Sequence, residues 1–135
     1  MRGKDLWEAQ VNMTCVLLAE PDTATRDFMA MKLREAGYEV DTAQNGQEAI
    51  IVLSSDRHDL IVSDLDMQGK DGLEFLREIR RHPQFMTIPF VLFVRTGPGF
   101  NANYKNYDNL LRETEELGGV FLPKIPDNFQ HFRVF

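Results

Sequence analysis

The sequence predicts an α/β domain with a parallel sheet covered by helices on both faces. Three observations carry that prediction. Short apolar runs of four or five residues recur along the chain, each bounded by Gly, Pro, Asn or Asp, as buried strands are. Segments of helical periodicity alternate with them, which is the pattern of crossover units and right-handed connections. Three of the runs end in charged residues: Cys15–Ala19 in Glu20-Pro21-Asp22, Leu60–Ser63 in Asp64, and Val120–Pro123 in Lys124. In an open α/β sheet, ligands bind at the carboxyl ends of the strands.

Taken in order, residues Met1 to Asn12 carry no strong pattern and read as an extension or linker, so the domain is expected over 13–135. Cys15–Ala19 is the first strand. Asp22 or Thr23 can cap the first helix, whose apolar stripe is read as Ala24, Phe28, Met31 and Leu33. Gly37 ends it with a left-handed cap. Glu39–Ala43 alternates as a short edge strand. Asn45-Gly46 turns the chain into a second helix with Ala49, Ile50 and Leu53 on one side. The run before Asp64 is the third strand, and the loop after it passes through Gly69. Asp71-Gly72 reads as a helix start. Leu73, Leu76 and Ile79 point inward from the third helix, which Pro83 ends. Phe90–Val94 is a strand buried on both faces. Thr96–Asn103 is loop. Leu110, Leu111, Thr114 and Leu117 share a face of a fourth helix, stopped by Gly118-Gly119. Val120–Leu122 is the fifth strand. Only eleven residues follow Lys124, so a last helix is expected to be short or missing.

Composition narrows the function. The chain has 135 residues, enough for a single core, and 43% of them are hydrophobic. The net charge of −6 and the lack of a basic face argue against direct nucleic-acid contact. Arg77, Arg80 and Arg81 read as the solvated end of a helix. Cys15 is the only cysteine, which fits a reducing compartment and core packing. No apolar run approaches a membrane span and no signal peptide is visible, so a cytoplasmic location is expected and no membrane partner. His58, His82 and His131 have no ligand spacing and read as surface or helix-end residues.

If the three strand ends are parallel neighbours, several carboxylates and one ammonium converge on one patch. Carboxylate oxygens with few protein ligands suit Mg²⁺, and a lysine can hold a phosphate as a point charge. This arrangement of Glu20, Asp64, Asp71-Gly72, Pro89 and Lys124 resembles the receiver domain of two-component response regulators, over about Met13 to Pro126. The resemblance implies a flavodoxin-like, doubly wound five-stranded sheet in the order 2-1-3-4-5. It implies that Asp64 is the phosphoacceptor, that Lys124 holds a phosphate oxygen, and that Glu20, Asp22, Asp64 and Asp66 supply the Mg²⁺ site. Val94, Arg95, Thr96 and Phe121 take the switch positions. The implied partners are a histidine kinase or phosphotransfer protein, an output domain or partner protein, and a second copy in a homodimer. No turnover enzyme is expected.

The sequence also departs from the family's pattern. Pro21 stands where a second metal-binding acid is usual, Val94 where a hydroxyl is usual, Arg95 where a small residue is usual, Gln68 in place of a proline, and Ile125 in place of the proline after the lysine. The segment between Val94 and Lys124 is longer than usual. Two alternatives stay open: a degenerate receiver used for docking without phosphorylation, and a haloacid-dehalogenase-type phosphatase, whose Asp-x-Asp is imitated by Asp64-Leu65-Asp66. A flavodoxin ranks lower, because no Ser/Thr/Gly-rich loop follows the first strand.

Overall fold

In the computed structural model, residues 13–94 and 107–123 are described. Among the described residues five strands alternate with four helices: β1 (Cys15–Ala19), α1 (Thr23–Glu35), β2 (Glu39–Ala43), α2 (Gly46–Ser55), β3 (Leu60–Asp64), α3 (Gly72–Arg81), β4 (Phe90–Val94), α4 (Tyr107–Glu116) and β5 (Gly119–Pro123). The strands form one parallel sheet in the order β2-β1-β3-β4-β5, as expected. Lys124, Arg95 and Thr96, the Met1–Asn12 segment and the expected short last helix lie outside the described residues.

The sheet separates two apolar layers, because alternate residues of each strand face opposite sides. On one face, Leu17, Ala19, Ile61, Phe90 and Leu92 pack with Ala49 and Leu53 of α2, with Phe75, Leu76 and Ile79 of α3, and with Leu110 of α4. Phe75 meets Phe90 edge-on, with ring centroids 5.5 Å apart. On the other face, Val16, Leu18, Val40, Leu60, Val62, Val91 and Phe93 pack with Met29, Ala30 and Leu33 of α1. β1, β3 and β4 are buried along their whole lengths, so their uninterrupted hydrophobicity follows from having helices on both sides.

The α1 stripe agrees with the expected one at Leu33 and differs from it before that residue. Met29, Ala30 and Leu33 face inward, while Ala24 and Met31 are exposed and Phe28 is half-buried, with the Lys32 ammonium 5.7 Å from its ring centre. Two apolar rows at helical spacing run side by side on this helix, and its docking angle on the sheet selects between them. The helix starts follow capping chemistry. Asp22 accepts from Thr25 N at 2.9 Å, Asn45 from Glu48 N at 2.8 Å and Asp71 from Glu74 N at 2.8 Å.

Arg77 and Arg80 are not a solvated helix end. Arg77 forms a forked pair with Glu113 of α4, with Nη2 2.7 Å from Oε1. Arg80 donates to the carbonyl oxygens of Leu117 at 2.6 Å, Ile88 at 2.7 Å and Met86 at 3.2 Å. Both contacts bridge segments remote in the chain, which is why the local run of cations concealed them.

Candidate functional site

The carboxyl ends of β1 and β3 bring two acids together. Ala19 pairs with Ser63, and one step further along the strands lie Glu20 and Asp64. Both are buried, Glu20 to 1% exposure and Asp64 to 6%. The Glu20 backbone N–H extends the ladder to Ala43 O at 2.9 Å. Its carbonyl accepts from Arg26 at 2.9 Å, and its Oε2 accepts from Asp22 N at 3.1 Å. Glu20 is thereby held at the strand end although Pro21 follows it.

Asp64 is placed by a tight approach of the next helix. Gly72 N–H donates to Leu65 O at 2.8 Å. A methyl group on Gly72 would lie 2.3 Å from Asp64 O and 2.9 Å from Leu65 Cα, so only glycine allows α3 to start against the end of β3. Ser63 Oγ donates to Asp64 O at 2.9 Å. The loop between them turns at Gly69, whose φ of 79° suits glycine.

The other expected site residues divide. Asp66 is exposed in the loop just beyond Asp64. The Asp22 carboxylate caps α1, accepting from both the N–H and the hydroxyl of Thr25, the latter at 2.7 Å. Val94 ends β4 fully buried, across from Pro123 of β5. Phe121 is half-buried against the α2–α3–α4 layer. Lys124 directly follows Pro123 in the sequence and lies, with Arg95 and Thr96, outside the described residues.

Residues 16–98 match the family described as the response regulator receiver domain. The chain belongs to that family. Among relatives of this receiver domain, the transcriptional regulatory protein ResD of Bacillus subtilis is 33% identical over 104 residues, which cover 73% of this chain and 42% of ResD. The probable transcriptional regulator ycf29 of Porphyra purpurea is 31% identical over 76% of this chain and 52% of its own length. The receiver thus spans about half or less of these relatives. The chemotaxis response regulator CheY4 of Vibrio cholerae superposes with a TM-score of 0.72 at 27% identity, covering 87% of this chain and 93% of that one. These similarities place the domain among two-component signalling proteins with the flavodoxin-like fold. Among the described residues, no helix is long and apolar enough to cross a membrane.

One group of side chains escaped the sequence reading. His58 is buried, not a surface residue, and its Nε2 lies 2.8 Å from Asp41 Oδ2. Cys15 completes a cluster with these two, all three ligand atoms lying within 4.8 Å of one another. It sits at the opposite end of the sheet from Asp64. Seventeen residues separate Asp41 from His58, so no local spacing announces the pair.

Proposed function

We propose that this receiver accepts a phosphoryl group on Asp64 from a histidine kinase or phosphotransfer protein and passes the signal on through a protein–protein surface. The observation that carries the reading is that Glu20 and Asp64, both buried, directly follow the paired residues Ala19 and Ser63 at the carboxyl edge of a parallel sheet. Placing two anions out of water is costly unless a cation shares the site. The donor set of hard oxygens fits Mg²⁺, with Asp64, Glu20 and the exposed Asp66 to hold it and Asp22 as a reserve once its cap is released. When bound, the ion offsets negative charge on the phosphoryl group. A carboxylate oxygen of Asp64 attacks phosphorus; the new P–O bond forms as the bond to the donor's histidine nitrogen breaks, and that nitrogen keeps the bonding pair. Lys124, next in sequence to Pro123, holds a phosphate oxygen. The product is a stoichiometric acyl phosphate, and no substrate is turned over. A cytoplasmic setting follows from the kinase partner.

A second reading, a docking module that works without phosphorylation, has specific support. Pro21 supplies no carboxylate, Asp22 is engaged as a helix cap, and the buried Val94 offers no hydroxyl to a phosphate. Incubation with acetyl phosphate and Mg²⁺, followed by intact mass measurement, separates the two. One added phosphoryl mass in the wild type, absent from Asp64→Asn, is the expected result. An unmodified wild type at saturating Mg²⁺ leaves the docking module. Pro21→Asp is expected to tighten Mg²⁺ binding, and equal titrations of the two proteins would show that Glu20 or Asp22 already compensates. In the phosphorylated state we assign the readout to Arg95 or to the Thr96–Asn106 segment. Amide shifts with beryllofluoride that reach Phe121 and Leu110 would instead show the family's usual switch operating without its hydroxyl.

A further inference from the structure

The Cys15–Asp41–His58 cluster lies about 13 Å from the Asp64 end of the sheet, the length of β1. Three separate elements build it: the start of β1, the middle of β2 and the loop that enters β3. Cys15 pairs with Glu39 in the parallel ladder, so Cys15 and Asp41 are held on one rigid pair of strands. Cys15 N–H also donates to Asp59 Oδ2 at 2.9 Å, which ties the entry to β3 against the start of β1. The His58 side chain is fully buried, whereas that of Asp41 is 46% exposed. Cys15 and Asp41 also line a surface cleft, together with Arg34 and Glu39.

The imidazole shows what the cluster needs. Its Nδ1 is 3.1 Å from Asp56 O. A carbonyl oxygen can only accept, so that contact puts a proton on Nδ1. In the neutral ring Nε2 then presents a lone pair, and it faces Asp41 Oδ2, another acceptor, at 2.8 Å. Two acceptors at that distance require a cation between them, either a proton or a metal ion. A backbone carbonyl that orients the far nitrogen is the usual outer-shell partner of a metal-binding histidine. Ligand atoms around tetrahedral Zn²⁺ sit about 3.3 to 3.6 Å apart. The Nε2–Oδ2 separation would have to widen by about half an ångström, and distances to Cys15 Sγ of up to 4.8 Å would have to close, which calls for movement of the half-exposed Asp41 carboxylate and of the Cys15 thiol.

We propose that Cys15, Asp41 and His58 form a second metal site, for a thiophilic divalent ion of the Zn²⁺ class, with water as the fourth ligand. A thiolate and an imidazole select Zn²⁺ over Mg²⁺. Binding displaces the thiol proton and the proton between His58 and Asp41, and both leave to solvent. The site clamps β1, β2 and the α2–β3 loop together, independently of any chemistry at Asp64.

The test is a Co²⁺ titration of the reduced full chain in excess Mg²⁺. The expected result is one equivalent bound, with a thiolate-to-cobalt charge-transfer band and strong visible bands of tetrahedral geometry, both bleached by Zn²⁺. Asp41→Asn, at a partly exposed position, is expected to keep the fold by circular dichroism and weaken Co²⁺ at least about tenfold. Cys15→Ser is expected to abolish the charge-transfer band, and Asp64→Asn to change nothing. A wild type without the band at excess Co²⁺ would mean an ordinary His–Asp hydrogen bond and overturn the proposal. So would unchanged affinity in folded Asp41→Asn, or loss of binding in Asp64→Asn.

Discussion

Gly72→Ala tests whether the end of β3 is positioned as described. The added methyl would meet Asp64 O at 2.3 Å, Leu92 Cδ1 at 2.6 Å and Leu65 Cα at 2.9 Å. Two of the three are backbone atoms of a strand end buried within the domain, so neither a rotamer change nor an outward swing relieves them. Overpacking of this kind costs about 1–3 kcal/mol, and a backbone clash belongs at the top of that range. Displacing α3 also strains the Gly72 N–H to Leu65 O bond, worth about another 1 kcal/mol. Alanine's higher helix propensity returns at most about 1 kcal/mol. The net loss is therefore about 3 kcal/mol, a large part of a domain's stability. At ordinary urea slopes the unfolding midpoint should fall by about 1 to 3 M. Gly69→Ala is the control. It meets open space, and its φ of 79° alone should cost about 1 kcal/mol. Urea unfolding followed by circular dichroism compares the two. A Gly72→Ala protein as stable as the wild type, or as Gly69→Ala, would refute the close approach of α3 to Asp64.

The α3–α4 contact makes a pH-dependent prediction. The hydrogen bond from Arg77 holds the Glu113 carboxyl below its usual range, so its contribution is full above the unfolded carboxylate value and fades as pH falls through the folded one. Both side chains are more than a third exposed, so Glu113→Gln should cost no more than about 1 kcal/mol at neutral pH. Urea melts should show that difference shrinking as pH falls below the ordinary carboxylate range; an undiminished difference there would point to packing instead. Arg80→Met should cost about 2–3 kcal/mol, because three carbonyl oxygens lose one charged donor. Arg80→Lys should recover only part of this, since an ammonium cannot span the same fork, and full recovery in thermal melts would show that charge alone suffices.

Much of the fold is local information. The short apolar runs, the helix caps at Asp22, Asn45 and Asp71, and the stops at Gly37 and Gly118 each depend on a few neighbouring residues, so they can be read along the chain. The order of the strands was legible because parallel strands need helical crossovers of one hand, and because the acids and the lysine fell where a receiver has them. The adjacency of Glu20 and Asp64 followed from that order. Other features depended on the third dimension. Whether α1 buries Met29 and Ala30 or the neighbouring row is a matter of docking angle. Arg77 and Arg80 looked like a solvated cluster until α4 and the segments that lead into β4 and β5 came to meet them. Gly72 read only as a helix start, since the carbonyl it must avoid belongs to the preceding strand. His58 looked like a surface residue because Asp41 and Cys15 reach it through the sheet register, across seventeen and forty-three residues of chain. Capping and periodicity are settled within a few residues of the backbone, so the sequence alone determined them; partnerships between distant side chains exist only once the sheet has set its register, and only the tertiary structure decided those.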